Sequence, residues 1–106
     1  MKEIIHFRLE NGEYPVKNWI DSLDLSVQAR IYSRLARVEE GNYGDYKKLG
    51  EISELRFKFG SGYRIYFAEV DNVVLLLLNA GDKKTQSKNI KEAKKYLQTW
   101  KGQFYD

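Results

Sequence analysis

The chain has 106 residues, room for one domain (1–106) with one real core and too few for two. Hydrophobic residues make up 42% and charged residues 31%, an ordinary balance for a globular chain, and the absence of cysteine excludes disulfides, thiolate metal sites and a cysteine nucleophile. The net charge of +3 is unevenly spread: residues 1–46 hold six basic and eight acidic groups, residues 47–106 twelve and seven, so any preference for an anionic partner belongs to the second half.

Met1-Lys2-Glu3 leads directly into an alternating pattern without the apolar core of a secretion signal, and Ile4 to Leu9 reads as a strand. With no cysteine to oxidise, the expected setting is the cytoplasm. Pro15, the single proline, stands at the first position of a helix carrying Val16, Trp19, Ile20 and Leu23. Asp24 or Ser26 opens a second, longer helix with Val27, Ile31, Leu35 and Val38 on one stripe, and Gly41 ends it. Arg30, Arg34 and Arg37 form a flank of this helix and read first as a solvated face. Asn42 to Tyr46 reads as a polar, aromatic-rich loop.

Three strands are predicted next, over Ile52–Phe59, Tyr63–Val70 and Val73–Asn79, with turns at Gly60-Ser61-Gly62 and Asp71-Asn72. The run Val73 to Leu78 is too short to span a bilayer and fits a buried strand. A last helix starts near Thr85 or Ser87, with Ile90, Ala93, Leu97 and Trp100 on its apolar stripe. The order β-α-α-β-β-β-α describes an α+β domain with helices packed on an antiparallel-rich sheet.

The central hairpin carries the functional signal. Leu55, Phe57, Phe59, Tyr63, Ile65 and Phe67 share its core face, and Glu54, Arg56, Lys58, Arg64, Tyr66 and Ala68 the other. A three-residue loop sets Lys58 opposite Arg64 and Arg56 opposite Tyr66. Like charges across a strand pair repel, and a bound phosphate turns that repulsion into attraction, since guanidinium groups grip phosphate bidentately. Lys83 and Lys84 follow the most buried strand and lie beside a helix start, which adds positive charge at the sheet edge. His6, the only histidine, reads as a structural strand residue.

Lys48-Leu49-Gly50, Ser53-Glu54-Leu55-Arg56, Gly62-Tyr63-Arg64-Ile65-Tyr66-Phe67, Leu77-Leu78-Asn79-Ala80-Gly81-Asp82-Lys83-Lys84-Thr85-Gln86 and Ile90-Lys91-Glu92-Ala93 together resemble the RelE/ParE toxin superfamily. The likeness is nearest to its HigB-like, phage-derived addiction-module branch and runs from about residue 3 to 100. The resemblance implies a RelE-like fold, an antiparallel sheet with helices packed on one face. It implies the toxin of a type II toxin–antitoxin pair, a ribosome-dependent mRNA endoribonuclease that needs no metal or other cofactor. Two alternatives come with it: a ParE-like inhibitor of DNA gyrase, and an inactive homologue that only binds its antitoxin. The expected partners are a helix-turn-helix antitoxin, the ribosome and mRNA, with operator DNA reached only through the antitoxin and no membrane.

By residue, the resemblance carries the superfamily's phosphate-holding arginines onto Arg64 and Arg56, and a basic residue onto Lys83 or Lys84. Lys58, Lys84, Lys48 and Arg37 are the further RNA-binding candidates. Some superfamily members place a tyrosine or histidine near the last helix, whereas this chain reads Ser87-Lys88-Asn89-Ile90. Tyr66, on the basic face, or Tyr105, in the tail, is the candidate to replace it as the acid.

Overall fold

The computed structural model describes residues 1–105, with side chains to Gln103. In chain order the elements are β1 (Glu3–His6), α1 (Pro15–Asp21), α2 (Leu25–Glu39), β2 (Tyr46–Leu49), β3 (Ile52–Arg56), β4 (Arg64–Val70), β5 (Val74–Gly81) and α3 (Gln86–Tyr105), with a 3-10 turn at Lys83–Thr85 before α3. The five strands form one sheet in the order β1-β5-β4-β3-β2, antiparallel except for β1, which runs parallel to β5. The α+β class, the helix pair and the antiparallel-rich sheet follow the sequence expectation.

Helices cover both faces of the sheet, a correction to the one-sided packing that the resemblance implied. On one face Val16 and Ile20 of α1 and Ile31, Leu35 and Val38 of α2 pack on Leu55, Ile65, Phe67, Leu75 and Leu77. On the other, Ala93 and Leu97 of α3 pack on Ile52, Tyr66, Ala68, Leu76 and Leu78. This explains β5: Leu75 to Leu78 are apolar at every position because water is excluded from both sides.

β2 is an addition to the predicted order, lying in and beyond the segment expected to be a loop. Its sequence Tyr-Lys-Lys-Leu is mostly exposed and carries no apolar alternation, as befits an edge strand guarded by lysines. It joins β3 through Gly50-Glu51, with positive φ (74°) at Gly50 only, the pattern of a type II′ hairpin turn.

The central hairpin has a different register from the one expected. Arg56 pairs with Arg64, Leu55 with Ile65 and Glu54 with Tyr66, two residues away from the predicted pairing. The Phe57 amide donates to the Tyr63 carbonyl (3.0 Å), so the connection is a five-residue loop, Lys58 to Gly62. In it Gly60 (φ 62°) and Gly62 (φ 76°) take left-handed conformations, and the Phe59 and Tyr63 rings pack edge-on at 5.8 Å. A two-residue slip conserves the face of every side chain, so the predicted core face is correct while the predicted partners are not.

Candidate phosphate-binding site

At the loop end of the hairpin lies a small, tightly bonded cluster. Glu54 sits on β3 between β2 and β4 and has no solvent exposure. Its carboxylate accepts from Arg56 Nε at 2.8 Å, from the Tyr66 hydroxyl at 2.9 Å and from Gln86 Nε2 at 2.8 Å. Arg64 Nε stands 3.4 Å from its Oε2, an ion pair without hydrogen-bond alignment. Burial alone pushes the Glu54 carboxyl up, but the bonds from Arg56, Gln86 and Tyr66 outweigh it and hold it below the ordinary range.

This carboxylate orients the two arginines. Each turns its Nε toward Glu54. Arg64 Nη1 donates to the Gly62 carbonyl at 2.6 Å, tying the guanidinium to the hairpin loop. The Nη groups of Arg56 have no protein partner among the described residues, and its side chain is 34% exposed. Arg56 and Arg64 are thus adjacent across the strands, fixed from below and able to donate further.

Lys83 reaches the same corner. Its amide lies 3.4 Å from the Ser61 carbonyl, and its Cβ is 3.4 Å from where a Cβ on Gly62 would stand. The turn that places it is capped by Asp82, whose side chain accepts from the amides of Lys84 and Thr85, while the Thr85 hydroxyl answers the Asp82 amide. A Cβ on Gly81 would lie 2.1 Å from Asn89 Oδ1, so any larger residue here forces the Asn89 side chain to shift. Lys84 is exposed on the same turn.

Other candidates separate from this corner. Tyr66 is fully buried and its hydroxyl is spent on Glu54; burial and that bond push its proton affinity well above the usual range. Enclosed there, it braces the carboxylate that orients the arginines, and its hydroxyl is not presented to solvent as the expected role of an acid requires. Tyr105 lies outside the residues whose side chains are described. Lys58 leaves the strand for the hairpin loop and does not oppose Arg64. Lys48 is exposed on β2 opposite Ser53, three residues along β3 from Arg56. Arg37 is exposed on α2 and lines, with Lys58 and Arg56, a cleft beside this corner. His6 belongs to β1, at the opposite edge of the sheet; burial and the charge of Lys17 lower its pKa and favour the neutral ring.

Two residues that organise this corner are not evident from side-chain alternation alone. The sequence showed Glu54 among the cations, but not that it pairs with both arginines and leaves them one net positive charge; an acid two residues before Arg56 on the same face was the available signal. Arg34 is not a solvated helix residue. Its guanidinium donates to the carbonyls of Tyr43, Asp45 and Arg56 at 2.7–3.0 Å and fastens α2 to the ends of β2 and β3.

A profile of the family described as "Phage derived protein Gp49-like" matches residues 18–101, which includes every residue of this cluster. The chain belongs to the Gp49-like family. That family is part of the RelE/ParE-like toxin group, in line with the resemblance carried by the hairpin and the Gly81–Gln86 turn. An uncharacterised protein of Haemophilus influenzae is 43% identical over 79 residues, covering 73% of this chain and 80% of its own length. Among the described residues of this Gp49-like chain, no helix is long and apolar enough to cross a membrane.

Proposed function

We propose that this Gp49-like protein is the toxin of a type II toxin–antitoxin pair, a HigB-like endoribonuclease that cuts mRNA on the ribosome. The observation that carries the reading is the pair Arg56 and Arg64, adjacent across β3 and β4 and both oriented by one buried carboxylate. Fixed donors are what a phosphoryl-transfer transition state requires, because charge accumulates on the phosphate and donors already in place need no reorganisation.

In this reaction the ribose 2′-hydroxyl gives its proton to solvent water as its oxygen bonds to the adjacent phosphorus, and the bond from phosphorus to the 5′-oxygen breaks. A 2′,3′-cyclic phosphate and a 5′-hydroxyl result. Arg56 and Arg64 neutralise the non-bridging oxygens. Lys83, beside the Arg64 loop, is the group assigned to protonate the departing 5′-oxygen, since the Tyr66 hydroxyl is enclosed. Lys84 adds charge at the rim. The same reading pairs the chain with a small helix-turn-helix antitoxin, through which alone operator DNA is engaged, and sets its action in the cytoplasm.

Inducible expression with mapping of mRNA 5′ ends, with and without active translation, tests the proposal. Codon-phased cuts that require translation and disappear in Arg64→Ala are expected. DNA breaks and an SOS response with intact mRNA would replace this reading by gyrase inhibition. Unimpaired growth would leave only the antitoxin-binding role.

A further inference from the structure

A cleft of about 560 Å³ lies between α2 and the end of β3, within the roughly 300–1,000 Å³ span of small-ligand sites. Its walls hold Arg30, Arg37 and Lys58, and its single carboxylate is Asp45. Arg34 also borders it but is committed to three backbone carbonyls. Arg30, Arg37 and Lys58 are exposed, and none has a carboxylate or carbonyl partner among the described residues. The excess of free cations over acid makes the cleft an anion trap.

Two further features narrow the anion. The Arg30 guanidinium carbon lies 3.7 Å from the centre of the Phe59 ring, so the aromatic ring fixes the guanidinium and leaves its outer side as a flat platform. Such a platform stacks a nucleobase. Among the described residues the large exposed apolar side chains, Met1, Tyr14, Leu25, Tyr32, Tyr46 and Val73, all lie outside the cleft wall. The cleft's own apolar lining is Ala29, Phe57 and Phe59; Phe57 is buried and Arg30 covers the Phe59 ring, so no large apolar side chain stands exposed there to anchor a peptide. The cleft also ends on Arg56, so it continues directly from the phosphate-binding corner.

We infer that the cleft is a second nucleic-acid subsite: it takes the nucleotide next to the phosphate held by Arg56 and Arg64, stacking its base on Arg30 and placing its phosphate on Arg37 and Lys58. The inference rests on the ribonuclease reading for the identity of the polymer. It divides the labour of the cations: the corner acts on one phosphate, while the cleft fixes the register of the strand.

The test is fluorescence anisotropy with a short 2′-O-methylated single-stranded RNA, which binds but cannot be cleaved, and an abasic oligonucleotide of equal charge. The full-length protein is compared with Arg30→Ala and with the double variant Arg37→Ala/Lys58→Ala, each first shown to melt like the wild type. Arg30→Ala is expected to lose the preference for RNA over the abasic strand, about five- to hundred-fold for one stacked base. The double variant is expected to weaken binding to both and to flatten the dependence of log affinity on log salt by about 0.7 for each phosphate it no longer neutralises. Wild-type affinity and salt slope in both variants would overturn the subsite, and Arg64-dependent mRNA cleavage alongside that result would leave the ribonuclease reading intact. Absence of cleavage together with the expected weakening of binding would remove the ribonuclease reading and retain the subsite. Displacement of the RNA by polyglutamate at equal charge concentration, with no difference between RNA and abasic strand, would assign the cleft to an acidic peptide and refute the inference.

Discussion

Glu54→Gln is the most informative single substitution. The glutamine has nearly the same shape, but it carries no charge and turns an amide NH2 toward one of the donors that now converge on the carboxylate. Arg56 and Arg64 would then face each other across the strands with no counter-ion. Breaking a buried ion pair from one side costs about 3–5 kcal/mol; with the Arg56 side chain 34% exposed, the lower end applies, about 3 kcal/mol. For a domain of this size that lowers the melting temperature by about 12 °C or more. Urea titration at neutral pH should show the fall in midpoint with an unchanged slope. The loss must also depend on pH. The folded-state carboxyl lies below its ordinary range, so its stabilisation is complete above that range and is lost as pH falls through the depressed value. Glu54→Gln has no such contribution, and its deficit against the wild type should therefore shrink in acid. At a temperature where the variant is folded, cleavage should still fall on the order of 10²-fold, because both guanidinium groups lose their orientation. A variant as stable as the wild type at neutral pH, or a deficit that stays constant into acid, would refute the role given to Glu54.

Tyr66→Phe should lower stability by about 1.5 kcal/mol, the value of one hydrogen bond to a charged acceptor, while cleavage persists within a few-fold; abolished cleavage in a folded variant would show that the hydroxyl acts on RNA after all. Arg34→Ala should cost about 3 kcal/mol in chemical denaturation, since three backbone carbonyls lose their donor, and Arg34→Lys should restore only part of it because an ammonium lacks the planar fork. By contrast, the exposed Arg37→Ala should change stability by no more than about 0.5 kcal/mol. Gly81→Ala puts a methyl group 2.1 Å from Asn89 Oδ1 and 2.6 Å from Thr85 Oγ1; a loss of about 1–3 kcal/mol is expected, with faster amide exchange in the first turn of α3.

Much of this architecture was legible because local periodicity reports which side of an element is dry. The stripe Ile31, Leu35, Val38 located α2, and Ile90, Ala93, Leu97 located α3. The unbroken apolar run of β5 already held the information that both faces are covered, although the resemblance pointed to one. β2 was silent for the opposite reason: exposed at the edge, it has no dry side to advertise. The hairpin register was hidden because the loop length depends on how Phe59 and Tyr63 pack with two left-handed glycines, a three-dimensional matter.

The basic hairpin face with Arg56 and Arg64 was therefore set by the sequence alone, since side-chain alternation survives a two-residue slip. What those arginines do was decided by the tertiary structure. It brought Gln86 from α3 and Tyr66 from β4 onto Glu54, enclosed Tyr66, and moved Lys58 out to the α2 cleft. Alternation is a property of neighbours along the chain, whereas burial and counter-ion placement arise only when segments 10 to 32 residues apart, such as Glu54 and Gln86, are packed together.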